Sequence, residues 1–303
     1  MNDTVKLRCG YVGLIGRPNV GKSTLLNHMI GQKISITSHK PQTTRHRILG
    51  INTTDTAQFV FVDTPGLHQG GKHAMSRYLN RAAASTLNDV DVVIFIIEAL
   101  RFTDEDAAVL AKLKTIDTPV ILAINKVDRI DDKEKLLPFL AEMGQKMNFT
   151  DVVPISALKN TNLKEIEQVI EKHLPEGAPL FDEDQITDRS VRFLAAEIIR
   201  EKLTRTLHQE LPYNLTVEIE QFKHEKEQTL IHAVIWVERD NQKGIVIGKK
   251  GERLKEIGKQ SRLDISKLIE RRVHLELWVK VKEGWSDDER ALHSLGYSDD
   301  LKS

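Results

Sequence analysis

Residues 11 to 23 read Tyr-Val-Gly-Leu-Ile-Gly-Arg-Pro-Asn-Val-Gly-Lys-Ser, and a helical pattern follows from Thr24. The apolar run predicts a strand, and the glycines after it allow a loop whose backbone N–H groups point inward at the start of a helix. Such a loop cradles phosphate oxygens. We expect Lys22 to reach the β- and γ-phosphates of a nucleoside triphosphate and Ser23 to bind magnesium. The predicted phosphate-binding residues are Gly16, Arg17, Pro18, Asn19, Val20, Gly21, Lys22 and Ser23.

Strand-like runs alternate with helical patterns from Tyr11 to about Leu174. The predicted strands are Tyr11–Ile15, Gln58–Val62, Val90–Ile97, Pro119–Asn125 and Val152–Ile155. This alternation predicts an α/β domain with a mostly parallel sheet and helices on both faces. Ligands of such sheets bind beyond the carboxyl ends of the strands, which is where the following motifs lie.

The second strand ends in Asp63-Thr64-Pro65-Gly66, followed by Leu67. We expect Asp63 to hold magnesium, through water, and the Gly66 N–H to contact a γ-phosphate. Taken alone, this tetrapeptide is also a common turn. Its position after the strand beside the phosphate loop favours the nucleotide role.

The fourth strand leads into Asn125-Lys126-Val127-Asp128. A carboxylate at Asp128 accepts two hydrogen bonds from guanine, whereas adenine would present a second acceptor and leave a buried polar group unpaired. We expect the backbone at Ser156-Ala157-Leu158, after the last strand, to complete the base pocket. These motifs predict GTP rather than ATP as the ligand.

Between the phosphate loop and Asp63 lies Pro41-Gln42-Thr43-Thr44-Arg45. Either threonine is able to close over magnesium while a γ-phosphate is present and to release after hydrolysis, and we favour Thr44. The alternative is an ordinary threonine-rich loop. Our candidate catalytic residues are Lys22, Asn19, Thr44 and Gly66, and the candidate metal ligands are Ser23, Thr44 and Asp63.

The pattern changes after residues 175–188, a stretch rich in proline, glycine and acids that predicts a linker. We therefore predict one domain over residues 1–174 and a second, of the α+β class with the order α-β-β-α-α-β, over 189–303.

In the second domain Gly248-Lys249-Lys250-Gly251 follows an apolar run predicted as a strand and opens a helix. Residues 243–272 contain ten basic and four acidic residues, which favours nucleic acid, although a charged helix face is the alternative. The candidate RNA contacts are Gly248, Lys249, Lys250, Gly251, Arg253 and Lys255.

Composition adds few constraints. The 303 residues have a formal net charge of +0, so the whole chain has no basic signature of nucleic-acid binding. A single cysteine, Cys9, fits a reducing compartment, and the strongest apolar run, Val90–Ile97, is too short to span a bilayer. We expect a cytoplasmic protein.

The motifs together resemble those of translation-factor-related P-loop GTPases, and within them the Era family of bacterial ribosome-assembly GTPases, over nearly the whole chain. This resemblance implies magnesium-dependent hydrolysis of GTP to GDP and phosphate, and a C-terminal KH domain of type II. It also implies binding of small-subunit ribosomal RNA near its 3′ end in the pre-30S particle, for subunit assembly and rRNA maturation, by a monomer with peripheral association with the inner membrane. The competing hypothesis is a GTP-dependent switch whose second domain binds a protein or a membrane surface.

One position departs from the pattern of Ras-type GTPases, because Leu67 stands where those enzymes have a water-orienting glutamine. Leucine has no polar group with which to orient water, a feature shared by the Era family. Asn19 matches an asparagine that coordinates potassium in some relatives, which implies that potassium supplies positive charge at the phosphates. The alternative for Asn19 is a residue that shapes the loop.

Overall fold

The computed structural model describes residues 7–40, 43–66, 74–86, 89–207, 211, 214–295 and 297, without the side chains of residues 80, 83–86 and 294. Their contacts divide them into two compact units. The first contains the described residues of Met1–Ser35, Thr44–Gly70 and Leu79–Asp188, and the second contains those of Ile36–Thr43, Gly71–Tyr78 and Arg189–Ser303. Two short segments from the predicted first domain therefore belong to the second unit.

The first unit is built on a mostly parallel sheet, as predicted. Its strands are β1 Leu7–Ile15, β2 Ile48–Thr53, β3 Ala57–Asp63, β4 Val92–Glu98, β5 Val120–Asn125, β6 Asp151–Pro154 and β7 Glu176–Gly177. The order is β2-β3-β1-β4-β5-β6, in which β2 is antiparallel to β3, and β7 pairs antiparallel with β1. All of β5 and all but the last residue of β4 are buried, so both faces of the sheet are covered.

Strand β2 is absent from the prediction, and its Gly50 weakens the local strand pattern. The structure explains this glycine. A Cβ on Gly50 would lie 2.6 Å from Leu26 Cδ1, so a helix packs directly against the strand backbone there. The helices of this part of the chain are α1 Lys22–Ile30, α2 Ala74–Thr86, α3 Asp104–Leu113, α4 Leu136–Gly144 and α5 Leu163–Glu171.

The second unit has the predicted α-β-β-α-α-β order. Its elements are α6 Val191–Thr206, β8 Leu215–His224, β9 Thr229–Val237, α7 Asp240–Ile247, α8 Glu252–Leu268, β10 Val273–Val281 and a final α9 Glu289–Ser294. In the sheet, β10 runs parallel and β8 antiparallel to the central β9. Buried apolar residues of α6, α8 and the three strands form one core.

The residues before Gly248 form helix α7, so the strand predicted there is wrong. Ile245, Val246 and Ile247 are β-branched and favour a strand locally. The Gln242 side-chain carbonyl instead accepts a hydrogen bond from the Arg239 N–H at 3.1 Å and starts a helix. Because Val246 is buried whereas Ile245 is 47% exposed, the run lacks the burial of a core strand.

Residues 175–188, the predicted linker, lie in the first unit. The Gln58 side-chain carbonyl accepts hydrogen bonds from the N–H groups of Leu180 and Phe181 at 2.7 and 3.0 Å, and Ile51 N–H donates to the Ile186 carbonyl at 2.9 Å. Hydrogen bonds to the backbone of this segment thus hold it in the first unit, although its side chains show no apolar periodicity. In the described part of the chain, no helix is both long and apolar enough to cross a bilayer.

Candidate functional site

The phosphate loop lies between the end of β1 and the start of α1. The Lys22 ammonium is buried and donates to the carbonyl oxygens of Gly16 and Arg17 at 2.9 and 3.0 Å. Burial lowers the pKa of Lys22 to about 8, so a bound phosphate would supply the negative charge that favours its protonated form. Gly21, at φ 110°, has no room for a side chain, since a Cβ would lie 2.3 Å from Asn125 Nδ2.

Arg17 is held by two carboxylates that no sequence motif singles out. Its guanidinium donates to Asp106 Oδ2 and Glu98 Oε2, each at 3.0 Å, and Lys126 Nζ lies 3.2 Å from Glu98 Oε1. Burial alone would raise the pKa of Glu98, but Lys126 and Arg17 hold it below its usual value. These contacts join the phosphate loop to the end of β4 and to the base-binding loop.

The predicted metal ligands lie together. Asp63 is fully buried at the end of β3, and its Oδ2 accepts hydrogen bonds from the hydroxyls of Ser23 and Ser35 at 2.7 and 2.8 Å. Ser23 Oγ also lies 2.9 Å from Thr44 Oγ1. The Thr43 hydroxyl instead donates to the Lys40 carbonyl at 2.6 Å, so the geometry favours Thr44 as the ligand. Ser35 was missed because an isolated serine has no distinguishing pattern.

The same residues fit a magnesium ion. The second carboxylate oxygen of Asp63, Oδ1, is buried and has no hydrogen-bond partner among the described residues. Burial raises the pKa of Asp63, so a nearby cation would favour its ionised form. Hydroxyl and carboxylate oxygens are the hard ligands that magnesium prefers, with phosphate oxygens and water completing the shell.

The segment after β3 lies directly against the phosphate loop. The Thr64 hydroxyl donates to the Leu14 carbonyl at 3.1 Å, and a Cβ on Gly66 would lie 2.8 Å from Pro18 N. Glycine at position 66 therefore allows the two backbones to approach closely. Leu67 lies outside the described residues, as do Pro41 and Gln42.

The Asn125 side chain connects three loops of the protein. Its side-chain amide donates to the Val20 carbonyl at 2.8 Å, and its oxygen accepts from the N–H groups of Lys126 and Ala157 at 2.8 and 2.9 Å. This arrangement fixes the base-binding loop against the phosphate loop.

Asp128, whose side chain is exposed, accepts a hydrogen bond from the Ser156 hydroxyl. That bond orients the carboxylate while leaving an oxygen for a ligand. Val127 continues the same loop, and its N–H donates to the Ile155 carbonyl at 3.3 Å. Leu158 is 58% exposed. The loop is thus built to present one oriented carboxylate to a base.

The second predicted site is the turn between α7 and α8. Gly248 and Gly251 have φ of 74° and 77°, and a Cβ on Gly248 would lie 2.7 Å from Arg253 Cβ. Lys249, Lys250 and Lys255 are exposed at the start of α8, whereas the Arg253 guanidinium donates to the Ile245 carbonyl. The turn offers a close backbone approach, lysine charge and the positive end of a helix dipole to a phosphate backbone.

Comparison with known proteins finds a match for each of the two regions that contain these residues. Residues 11–126 match the family described as 50S ribosome-binding GTPase, and residues 210–286 match the KH domain. GTPase Era of Pseudomonas syringae pv. tomato is 58% identical over 299 residues, which cover 99% of this chain and 100% of that protein.

Two crystal structures of Era are similar over almost the entire chain. An Aquifex aeolicus Era variant bound to GDP and AlF4⁻ has a TM-score of 0.93 and 42% identity, covering 96% of this chain and all of that one. An Era complex with MgGDPNP and nucleotides 1506–1542 of 16S ribosomal RNA has the same TM-score and identity, covering 96% of this chain and 99% of that one.

Proposed function

Because the chain belongs to the Era family of GTPases, we propose that it binds and hydrolyses GTP and, in its GTP-bound form, binds small-subunit ribosomal RNA near the 3′ end. The observation that supports GTP binding is the partly buried oxygen cluster of Ser23, Thr44 and Asp63 beside Lys22. The second carboxylate oxygen of Asp63, which is buried and has no hydrogen-bond partner among the described residues, supports a cation at this position.

Each residue of this site has a distinct role in hydrolysis. Lys22 and the loop N–H groups bind the phosphates, while Ser23, Thr44 and Asp63 would hold magnesium, which neutralises charge on the phosphate oxygens when bound. Water adds to the γ-phosphorus and the bond to the bridging oxygen breaks, giving GDP and phosphate. When the γ-phosphate is lost, Thr44 is no longer held at the metal. The release of Thr44 is the conformational switch.

The RNA half depends on the second unit. Its exposed lysines and glycine turn suit a single-stranded backbone, and the similar Era complex contains a 3′ segment of 16S RNA. The family description that mentions the 50S subunit belongs to a match over residues 11–126, whereas the 16S complex resembles nearly the whole chain. We therefore place this protein in small-subunit assembly and rRNA maturation, acting on the pre-30S particle.

Crosslinking of the intact protein to cellular RNA, with GTP and with GDP, tests this function. Enrichment of one small-subunit segment with GTP alone is the expected result. Diffuse crosslinks in both states would contradict it and favour a protein or membrane partner for the second unit.

We further propose a cytoplasmic monomer with peripheral contact to the inner membrane. Flotation with liposomes would check the membrane contact, and light scattering would check the oligomeric state.

Potassium is a further proposed cofactor. Asn19 is exposed in the phosphate loop at φ 63°, a conformation that asparagine tolerates and glycine adopts freely. Asn19→Gly therefore removes the side chain without straining the loop. We expect potassium to accelerate hydrolysis relative to sodium in the parent protein and to lose that advantage in Asn19→Gly. Equal rates in the two salts for the parent protein would exclude this role.

A further inference from the structure

Asn27, on helix α1, fixes the backbone of Ser35. Its side-chain oxygen accepts hydrogen bonds from the N–H groups of Ile34 and Ser35, each at 2.9 Å, and its amide nitrogen donates to the Ser35 carbonyl at 2.7 Å. All three residues belong to the first unit. Because each peptide group is planar, one side chain that holds both the N–H and the carbonyl of Ser35 fixes the peptide planes on either side of it.

Packing holds the same segment from a second direction. Ile34 is 2% exposed, and a Cβ on Gly50 of β2 would lie 2.9 Å from Ile34 Cδ1. The Ile34 side chain therefore lies directly against strand β2, beside the contact that Leu26 of α1 makes with the same glycine. The segment after α1 is thus held by the helix and by the sheet.

The fixed backbone directs the Ser35 hydroxyl. Ser35 is fully buried, and its hydroxyl donates to Asp63 Oδ2 at 2.8 Å. Once the backbone is set, the hydroxyl oxygen has only three staggered positions about χ1. The position of this oxygen therefore depends on where Asn27 holds the backbone, so Asn27 acts on the Asp63 carboxylate through one intermediate residue.

Helix α1 also reaches the same carboxylate oxygen directly. Ser23 stands four residues before Asn27, so the two share a face of the helix, and the Ser23 hydroxyl donates to Asp63 Oδ2 at 2.7 Å. Two hydroxyls thus occupy Oδ2, whereas Oδ1 is buried with no hydrogen-bond partner among the described residues. This arrangement leaves Oδ1 for a cation or for a water bound to it.

A purely structural role for Asn27 would end at the backbone. Asparagine is a poor helix former, and its three hydrogen bonds to the following segment compensate for its place in α1. Those hydrogen bonds do not require a hydroxyl at position 35, since alanine there would leave all three intact. The direction of the Ser35 hydroxyl is therefore the feature that separates a role in magnesium binding from a role in folding alone.

We propose that Asn27 is a positioning residue for magnesium binding, which acts through Ser35 to hold Asp63 Oδ2 and to direct Oδ1 toward the cation. In this role Asn27 touches neither the metal nor the nucleotide. The inference rests on the proposed GTPase function and adds a supporting residue to its metal site.

Calorimetric titration of magnesium into the intact protein, saturated with a non-hydrolysable GTP analogue, tests this role. Asn27→Ala should weaken magnesium affinity by about three- to tenfold, because the hydrogen bond from Ser35 to the carboxylate is misplaced. The magnesium concentration for half-maximal GTP hydrolysis should rise by the same factor. GDP affinity in EDTA should not change, since magnesium takes no part there.

A double-mutant cycle with Ser35→Ala identifies the route of the effect. If Asn27 acts through the Ser35 hydroxyl, Asn27→Ala should have no further effect on magnesium affinity once that hydroxyl is removed. Its effect on the melting temperature should persist in both backgrounds, because the hydrogen bonds to the backbone are lost in each.

Two more single variants complete the experiment. Asn27→Gln keeps the donor and the acceptor but places them one methylene further from the helix, so it should fold and lose part of the magnesium affinity. It takes the place of Asn27→Ala in the cycle if the alanine variant folds poorly. His28→Ala changes an exposed neighbour on the same helix and, as the matched control, should bind magnesium like the parent protein.

A folded Asn27→Ala variant with the parent's magnesium affinity would overturn the proposal, as would Asn27→Gln with that affinity. Losses that add in the double variant would also overturn it, because Asn27 would then act by another route. Equal losses of magnesium affinity and of GDP affinity in EDTA would show a purely structural role. A parent protein that binds no GTP analogue would instead contradict the proposed function itself.

Discussion

The predicted nucleotide site and the glycine turn are both proposed to bind phosphate, but they are built in opposite ways. Lys22, Asp63 and Asn125 are 6%, 0% and 2% exposed, and protein groups already hold each of them. Lys249 and Lys250 are exposed on a turn between two helices. The first site encloses a ligand of fixed shape, whereas the second offers a surface to a flexible polymer.

This difference determines how each site should respond to change. Removing a partner in the buried site leaves another buried group unsatisfied, so effects should be large and non-additive. Exposed lysines act on phosphates through screened charge, so their effects should be small, nearly additive and dependent on salt. The following predictions test this contrast, beginning with the largest expected effect.

Asp128→Asn should weaken GTP binding by about 10⁴-fold, because a site built to hydrogen-bond its ligand strongly rejects a mismatched partner. Xanthosine triphosphate, which presents an acceptor where guanine has its amine, should bind better to the variant than to the parent. Isothermal titration with both nucleotides measures this exchange. Asp131→Asn, an exposed aspartate of the same loop, is the matched control and should change neither affinity. Retained preference for GTP in Asp128→Asn would remove Asp128 from base recognition.

Asp63→Asn should reduce magnesium-dependent hydrolysis by about 10²- to 10³-fold, a loss typical of one removed electrostatic contact at a reacting phosphate. The nucleotide-free protein should melt at the same or a higher temperature. Burial raises the pKa of Asp63, so the folded state disfavours the charged form and gains when a neutral amide replaces it near pH 7. Calorimetry of the nucleotide-free protein checks the expected melting temperature, and a hydrolysis assay checks the expected loss of rate. A lower melting temperature for Asp63→Asn would show that the Asp63 carboxylate stabilises the fold and is not reserved for binding a cation.

Ser35→Ala should have a smaller effect within the same buried site. It removes one of the two hydroxyls that donate to Asp63 Oδ2, and Ser23 keeps the other. A single hydrogen bond to a charged group is worth about 1.5–3 kcal/mol. Magnesium affinity in the presence of GTP should therefore fall by roughly tenfold or more. Ser38→Ala is the control, since the Ser38 hydroxyl accepts a hydrogen bond from the Lys40 N–H and not from a residue of the metal site. An unchanged magnesium affinity in Ser35→Ala would mean that Ser23 alone orients the carboxylate.

The sequence predicted the type and order of most elements because their patterns are local. Strand β10 was predicted over Val273–Val281 and is found there. The predictions failed where packing overrides local preference, as at Gly50 in β2 and in the β-branched run of α7. At Gly50 the secondary structure is decided by packing against residues distant in the sequence. In α7 it is decided by the hydrogen bond that starts the helix.

The sequence singles out the motif residues because phosphate, magnesium and guanine each require a particular residue type at a particular strand end, and the roles of these residues stay predictions. It does not single out the residues that support them. Asp106, Glu98 and Ser35 are ordinary residue types with no local pattern, and their roles come from contacts across 28 to 89 positions. The assignment of Ile36–Thr43 to the second unit was likewise invisible, because it depends on side chains of α6.

The smallest expected effect belongs to the exposed site. Lys249→Ala should weaken binding of a single-stranded 3′ ribosomal fragment by less than about tenfold and flatten the salt dependence of log affinity by about 0.7 per lost phosphate contact. GTP affinity should stay unchanged. Lys226→Ala, which changes another exposed lysine in the turn between β8 and β9, is the matched control and should keep the parent's salt dependence. If Lys249→Ala instead abolished RNA binding at every salt concentration, the turn would be a closed, specific pocket like the nucleotide site, and the contrast between the two sites would fail.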